Sequence, residues 1–324
     1  MKSLFLCSVA WGGAFLFLLI DDPVFHLTSS AGVQDLSPGQ SVSRVPEGVI
    51  LVKGASPSAS GSETPLPEDA QIENGVFTAP YFQMSFRLPK GWTEEYKGPP
   101  PSENGRYVLA ELTPVKSAGE HSTGSILITA EDMFFVPLPV GSARDVINYA
   151  KGHLQPDYVV EHLPEQIQLG GRQFSTFAFG SRSARLHWRV LATQVRCHTI
   201  EIVLTSRDTN FIDSVLNELG TMTLPGEVRP DGAGAIPICI KDYVRDGNLL
   251  SRIDPLLTEH RFDPVPVRII IDRSGTIRHI HFLSAFPDQV RAITDALAHW
   301  KFKPYTVNGQ PLEVETGILF GSLR

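Results

Sequence analysis

No dense run of lysine or arginine occurs in the chain, and a net charge of −7 with a pI near 5.8 runs against a nucleic-acid-binding role. The same lack leaves anionic lipid surfaces without an electrostatic anchor. Catalytic signatures are missing too. There is no Gly-x-Ser-x-Gly elbow, no phosphate-cradling glycine loop and no His-Glu-x-x-His. Serine, histidine and aspartate are present, but no spacing singles out a set, so the chain reads as non-enzymatic and without a cofactor. His279 and His281 share one strand face and form the one suggestive metal pair. With no third ligand nearby, they read as two histidines on a solvated hairpin face. Cysteine is scarce as well, with Cys7, Cys197 and Cys239 in 324 residues. Cys7 falls in the N-terminal apolar run, so Cys197 and Cys239 are the pair left for an intramolecular disulfide. Their expected places do not by themselves bring the Cα atoms together, and two separate buried thiols is the reading carried forward.

What is present begins at the N-terminus. Lys2 precedes an uncharged apolar stretch, Leu4 to Ile20, which Asp21 and Asp22 close. That order directs the rest of the chain outward. The stretch sits near the lower limit of about 17–25 residues for a spanning helix, so it suits a retained anchor or a cleaved signal peptide. Ser29-Ser30-Ala31, the small residues a signal cleavage would use, lie far downstream. The anchor is therefore the favoured reading.

Hydrophobic residues at 42% and charged residues at 19% allow ordinary globular cores, and the length suits two domains. Residues 21–75 are rich in Pro, Ser and Gly and read as a flexible linker. An α+β domain is predicted over 76–224. Phe82, Met84, Phe86 and Leu88 alternate on one strand face, and further strands fall near 107–114, 125–132, 158–168, 172–179, 184–195 and 198–205. Gly170-Gly171 signals a hairpin. Helices are predicted over Ser142–Leu154 and Asp208–Leu219, the latter capped by Asp208 or Thr209. Residues 225–263 read as a second linker, with a short helix around Leu249–Leu257. The closing domain, 264–324, is predicted as strand, strand, helix, strand: Val265–Asp272, Thr276–Leu283, Phe286–Trp300 and Leu312–Phe320. Tight turns at Asp272-Arg273-Ser274-Gly275 and Asn308-Gly309 separate these elements. Trp300 and Phe302, at a helix end between apolar strands, read as core anchors, with Lys301 and Lys303 pointing outward.

The run Phe86-Arg87-Leu88-Pro89-Lys90-Gly91-Trp92, with the later strands and helices, resembles the PsbP-like family of α/β/α sandwiches. That resemblance implies a non-catalytic binding or assembly module. Three ordered stretches, Ile269 to Gly275, Trp300-Lys301-Phe302-Lys303-Pro304-Tyr305 and Asn308-Gly309-Gln310-Pro311-Leu312-Glu313-Val314, are similar to the TonB C-terminal domain of energy-transducer proteins over about 264–322. That resemblance implies a location on the periplasmic side of the cell envelope, anchored in the inner membrane by residues 4–20 or secreted after cleavage. It also implies a protein or peptide partner, an outer-membrane receptor segment or another envelope protein, with an inner-membrane motor complex behind it. Edge pairing used for a homodimer is the blander alternative.

An exposed strand edge recruits an extended peptide through its main-chain N–H and C=O groups. The expected edge is the last strand: Glu313, Val314, Glu315, Thr316, Gly317, Ile318, Leu319 and Phe320. Its alternation sends Val314, Thr316 and Ile318 to one side and Glu313, Glu315, Gly317 and Leu319 to the other. The competing reading is a periplasmic solute- or lipid-binding protein that uses the first domain, with the C-terminal module serving assembly.

Overall fold

The structure is a computed structural model that describes residues 55–61, 64–67, 69–94, 105–114, 124–135, 141–225, 236–244, 247–260 and 263–321. The apolar stretch 4–20 and most of the first linker lie outside these residues. Among the described residues no helix is long and apolar enough to cross a membrane.

The first strand, β1 (Ser56–Ala59), leaves its own neighbourhood and pairs in the C-terminal sheet. A small antiparallel sheet follows, made of β2 (Gln71–Glu73), β3 (Val76–Ala79) and β4 (Met84–Arg87). The main sheet has seven strands: β5 (Trp92–Glu94), β6 (Arg106–Pro114), β7 (Gly124–Asp132), β8 (Tyr158–Leu169), β9 (Arg172–Ser181), β10 (Leu186–Val195) and β11 (His198–Ser206). They lie in the antiparallel order β5-β6-β7-β11-β10-β9-β8. The hairpin from β8 to β9 turns at Gly170-Gly171, both at positive φ as such tight turns require.

Helix α1 (Ala143–Gly152) begins where Ser142 Oγ accepts a hydrogen bond from the Asp145 amide at 3.3 Å. Its Val146 and Ile147 cover one face of the main sheet, over Phe177, Phe179, Trp188 and Val190. Helix α2 (Thr209–Leu219), capped by Asp208 on the Asn210 amide, packs on the opposite face. It shares that face with the small sheet, whose Phe77, Met84 and Phe86 meet Ile126, Ile128, Ile200 and Ile202. The unit is therefore layered, with the long sheet in the middle and buried on both faces.

The C-terminal unit is built on β14 (Val265–Ile271), β15 (Ile277–Ala285) and β19 (Val314–Phe320), bordered by β1 and by β12 (Ile238–Cys239), in the order β1-β15-β14-β19-β12. The Asp272 carboxylate fixes the β14–β15 turn by accepting from the Ser274 and Thr276 amides at 2.8 and 2.9 Å. Helix α3 (Pro287–Leu297) starts with proline at its first position, and Gln289 Oε1 accepts from the Phe286 amide at 2.9 Å. Alternation sends Val265, Val267, Ile269, Ile280, Phe282, Val314 and Ile318 under this helix, where Ile293, Leu297, Trp300 and Phe302 complete the core. Trp300 and Phe302 are thus core residues, as expected, and Trp300 Nε1 donates to the Ile253 carbonyl at 2.7 Å. Lys301 and Lys303 are exposed. Four short strands lie here in two pairs: β16 (Lys301–Phe302) with β13 (Leu249–Ser251), and β17 (Tyr305–Val307) with β18 (Gln310–Leu312).

Two expectations need correction. The stretch 249–257 is not a helix. It opens as β13 and continues without regular structure, because Pro255 lacks an amide donor and the helix-like spacing of Leu250, Ile253 and Leu256 meets no core; all three are exposed. The stretch 21–75, read as a linker, contributes β1 and β2 to sheets. No hydrophobic alternation announces β1, because its contribution is main-chain pairing.

The second face of the C-terminal sheet packs on the first unit. Gly317 on β19 makes this approach feasible, since a Cβ there would lie 2.9 Å from both the Phe134 and the Phe135 ring. G317V is expected to lower stability by about 1–3 kcal/mol through overpacking. A denaturant melt followed by tryptophan fluorescence checks this, and an unchanged midpoint would refute the packing argument.

Candidate functional site at the junction of the two sheets

On the face of the C-terminal sheet turned away from α3 stand His279, His281 and Leu283 of β15, Arg268 of β14, and Glu315, Gly317 and Leu319 of β19. All of these are buried. Leu283 and Leu319 meet Phe134, Phe135 and Cys197 of the first unit. Within this apolar ring lies a closed charge network. Arg268 Nη2 donates to Asp132 Oδ2, and Nη1 donates to Glu315 Oε1 at 3.2 Å. Arg196, in the β10–β11 turn, donates through Nε to Glu315 Oε2 at 2.6 Å and through Nη1 to the Tyr81 carbonyl at 3.1 Å. Its guanidinium lies 3.7 Å from the centre of the Tyr81 ring, whose hydroxyl donates to Glu315 Oε1. Asp132 Oδ1 accepts from the Phe134 and Phe135 amides at 2.8 and 3.2 Å.

Two carboxylates and two guanidiniums thus neutralise each other away from water. Burial works to raise the Glu315 pKa, but Arg196 and Arg268 outweigh it and hold the carboxyl below its ordinary value. At Asp132 the balance tips the other way: desolvation raises its carboxyl despite Arg268. Desolvation also drives His198 well below the usual histidine range and holds it neutral, with Nε2 3.6 Å from Asp132 Oδ2. Burial, reinforced by Arg268, pushes His281 down to about 3. His279 and His281 are therefore not on a solvated face; they are 2% exposed, and His279 Nδ1 lies 3.1 Å from the Ser60 carbonyl. Among the described residues no group of three or more metal-ligating side chains converges.

Beside this network, Cys197 and Cys239 are joined by a disulfide with Cα atoms 5.0 Å apart, which corrects the expectation of two free thiols. The bond spans 42 residues of sequence and ties β12 to the first unit. The chain-entropy account gives such a closure about 4 kcal/mol. Strand β12 in turn lies parallel to β19, pairing Ile238 with Val314 and Cys239 with Glu315. The Ile238 and Ile240 amides donate to the Glu313 and Glu315 carbonyls at 2.9 and 3.1 Å.

The expected recognition strand is placed accordingly. Glu313 is at the surface, paired through both carboxylate oxygens with Arg278 at 2.8 Å. Val314 through Phe320 are all buried, with β14 along one side and β12 along part of the other. The edge foreseen there is taken up by β14 on one side and by β12 at Val314 and Glu315 on the other, and the strand's polar face, which carries Glu315, docks on the first unit. Sequence reading missed Asp132, Arg196, Arg268 and Tyr81. The available signal was a charge inside an apolar strand, Arg268 after Val265-Pro266-Val267 and before Ile269-Ile270-Ile271, since such a charge demands a buried partner.

The opposite edge of the sheet is different. Strand β1 lies antiparallel to β15, with Ser56 opposite Ala285, Ser58 opposite Phe282 and Ala59 opposite His281. The Ser60 amide donates to the Ile280 carbonyl at 2.8 Å, and Ser60 Oγ accepts from the Ile280 amide at 2.9 Å. Ser56 and Pro57 are exposed, so the side chains anchor little.

Two other features could hold small groups. A cleft of about 690 Å³ opens between the start of α1, the ends of β9 and β10, and Ile236–Cys239, and its lining includes Arg172, Arg196, Gln173 and Gln194. On the α1 side of the main sheet, Glu201 and Glu131 stand on neighbouring strands near Arg106. Burial, then Glu131, pushes Glu201 up to about 7.

No protein-family model matches the sequence, and no curated protein matches it. Among solved structures the chain is similar to cyanobacterial PsbP (CyanoP) from Synechocystis sp. PCC 6803, at 15% identity and a TM-score of 0.33. The match covers 51% of this chain and 97% of that one. It is also similar to the Saccharomyces cerevisiae Ran-binding protein Mog1p, at 10% identity and a TM-score of 0.26, covering 44% of this chain and 79% of that one.

Removing one member of the charge network strands the others. R268M is expected to cost about 3–5 kcal/mol and to split a single melting transition in two as the units uncouple. Calorimetry checks this, and one transition at the wild-type temperature would refute it. For Glu201 the folded pKa is raised, so the native state holds a proton that the unfolded chain has lost between pH 4.5 and about 7. Stability should therefore fall as pH rises through that window, by an amount on the order of 3 kcal/mol. E201Q should flatten that part of the profile in denaturant melts from pH 4 to 8, and an unaltered slope would contradict the assignment.

Proposed function

We propose that this is an exported, non-enzymatic binding protein of the cell envelope that holds an extended segment of a partner protein by β-strand pairing. The observation that carries the reading is the C-terminal sheet itself, which takes in two strands from distant parts of the chain. Strand β1 comes from the far N-terminal side, and β12 comes from the connection between the units. A sheet that accepts short, non-contiguous strands through main-chain bonds has the physical property that strand-addition modules use.

The resemblance of 264–322 to TonB C-terminal domains gives the reading its finer form. It suggests a periplasmic protein anchored by residues 4–20, with an outer-membrane receptor segment as partner in TonB-dependent transport and a motor complex in the inner membrane as a further partner. The PsbP-like resemblance of the first unit adds an assembly role, and the buried charge network supports a first unit that sets the position of the binding sheet. The solute-binding alternative draws its support from the 690 Å³ cleft, whose arginine and glutamine lining suits a polar solute better than a lipid.

Synthetic peptides copied from the periplasm-facing segments of the source organism's outer-membrane receptors test the reading. Saturable binding to the full chain by fluorescence anisotropy is expected at micromolar concentrations for at least one of them. Failure of every such peptide, with a polar solute copurifying in the cleft, would overturn it in favour of the alternative.

A further inference from the structure

Among the described residues, two sheet edges are obstructed for strand addition, each over part of its length. The outer side of β19 is paired at Val314 and Glu315 with β12, which the Cys197–Cys239 bond holds to the first unit. The outermost strand of the main sheet, β8, carries Pro164, Glu161 and Glu165 and breaks register between Val160 and His162 and again between His162 and Glu165. Such features obstruct edge-to-edge pairing.

The edge of β15 is occupied by a poorly fitted strand. Ser58 stands opposite Phe282, a residue of the α3-side core, yet its own hydroxyl is buried with no hydrogen-bond partner. A buried hydroxyl without a partner weakens the strand that carries it. Ser56 and Pro57 are exposed, and the register slips between Ser56 and Ser58. The productive contacts sit at the other end. There Ser60 supplies an acceptor to the Ile280 amide, its carbonyl lies beside His279, and Thr64 Oγ1 accepts from Arg278 Nη1 at 3.1 Å.

We propose that the outer edge of β15 is a docking groove for an extended partner peptide running antiparallel to it. The peptide carries an apolar side chain at the Ser58 position and a hydroxyl or carboxylate acceptor at the Ser60 position. Residues Ser56–Ser60 are the resident occupant, which leaves when the partner binds. The groove selects the apolar residue because it replaces an unsatisfied hydroxyl beside Phe282, and the acceptor because the Ile280 amide points at it. The proposal rests on the strand-pairing reading above and names its edge and its peptide.

The test uses the full chain, a fluorescein-labelled peptide of residues 53–64 carrying S58V, and three proteins. S60P removes the Ser60 amide and hydroxyl bonds and weakens the resident strand. S58V in the protein strengthens that strand. Anisotropy titration should find the probe tightest on S60P, about tenfold weaker on wild type and about tenfold weaker again on S58V. Hydrogen exchange at the Ile280 amide should slow in S58V and quicken in S60P, which reports the resident strand whatever the peptide does. Equal affinity for all three proteins, or no binding to S60P while its exchange has quickened, overturns the proposal. A concentration-dependent dimer of the wild-type chain that S58V strengthens would assign the edge to strand exchange between copies and also overturn it. If receptor-derived peptides fail while the probe follows the stated order, the groove stands and the receptor assignment falls. If receptor peptides bind all three proteins equally, strand pairing stands at another edge and this proposal falls.

Discussion

Everything about the placement of the C-terminal sheet depends on a charge network that the protein has removed from water. Arg268 and Glu315 belong to the C-terminal sheet, Asp132 and Arg196 to the first unit, and each charge has an opposite charge within hydrogen-bond reach. Burying them costs several kcal/mol per ion, so the network is weak as a source of stability. Its effect is geometric. Only one relative placement of the sheets satisfies both carboxylates, the Phe134 and Phe135 amides and the Tyr81 hydroxyl together. Any sliding strands a charge in an apolar ring of Phe134, Phe135, Leu283 and Leu319. The penalty for misplacement thus exceeds the gain from correct placement, which is how a polar junction selects one arrangement.

That choice decides which edges are available. Docking through Glu315 and Gly317 turns that face of β19 inward, and the disulfide brings β12 to cover its outer side at Val314 and Glu315. The start of β19 is then covered where sequence reasoning expected it open, and a segment from far upstream holds the opposite edge. The two covering strands are held differently. Strand β12 is fixed by a covalent bond, while β1 is held by main-chain pairing with small side chains, one of them badly placed.

Local pattern carried much of this fold, and non-local pairing did not. Alternation in Val265–Ile271 and in Glu313–Phe320 is legible in the sequence, as are the helical stripe of Val290, Ile293 and Leu297 and the turn at Asp272–Gly275. Even the division of β19 into a Glu315 side and a Val314 side is correct. Alternation says which residues share a face; it does not say what covers that face. Glu315 on a strand reads as solvated unless Arg196 and Arg268 are known to meet it, and they lie 119 and 47 residues away. The same limit explains His279 and His281, read as exposed and found buried, and Cys197 with Cys239, whose approach depends on the junction. Strand β1 was illegible for another reason. Ser56-Pro57-Ser58-Ala59 has the composition of a linker, and only the unpaired edge of β15 makes it a strand.

The energetics of that last strand bear on what a partner must supply. Ala59 connects to β2 at Gln71 by a short stretch, so the resident strand competes at an effective concentration of about a millimolar. A free peptide present at about a micromolar must therefore bind roughly a thousandfold better than the resident in intrinsic terms, a difference near 4 kcal/mol. Main-chain bonds provide little of the difference, because most of them are common to both strands. It has to come from side chains, and the resident leaves room for that gain by exposing Ser56 and Pro57 and leaving the Ser58 hydroxyl unsatisfied. Relieving one buried hydroxyl gives about tenfold, so further apolar burial along the groove must provide the rest. A strand chosen only to close an edge would have been better fitted than this one. Its poor fit, combined with its high local concentration, gives a threshold that weak strands fail to cross and one matched in side chains can.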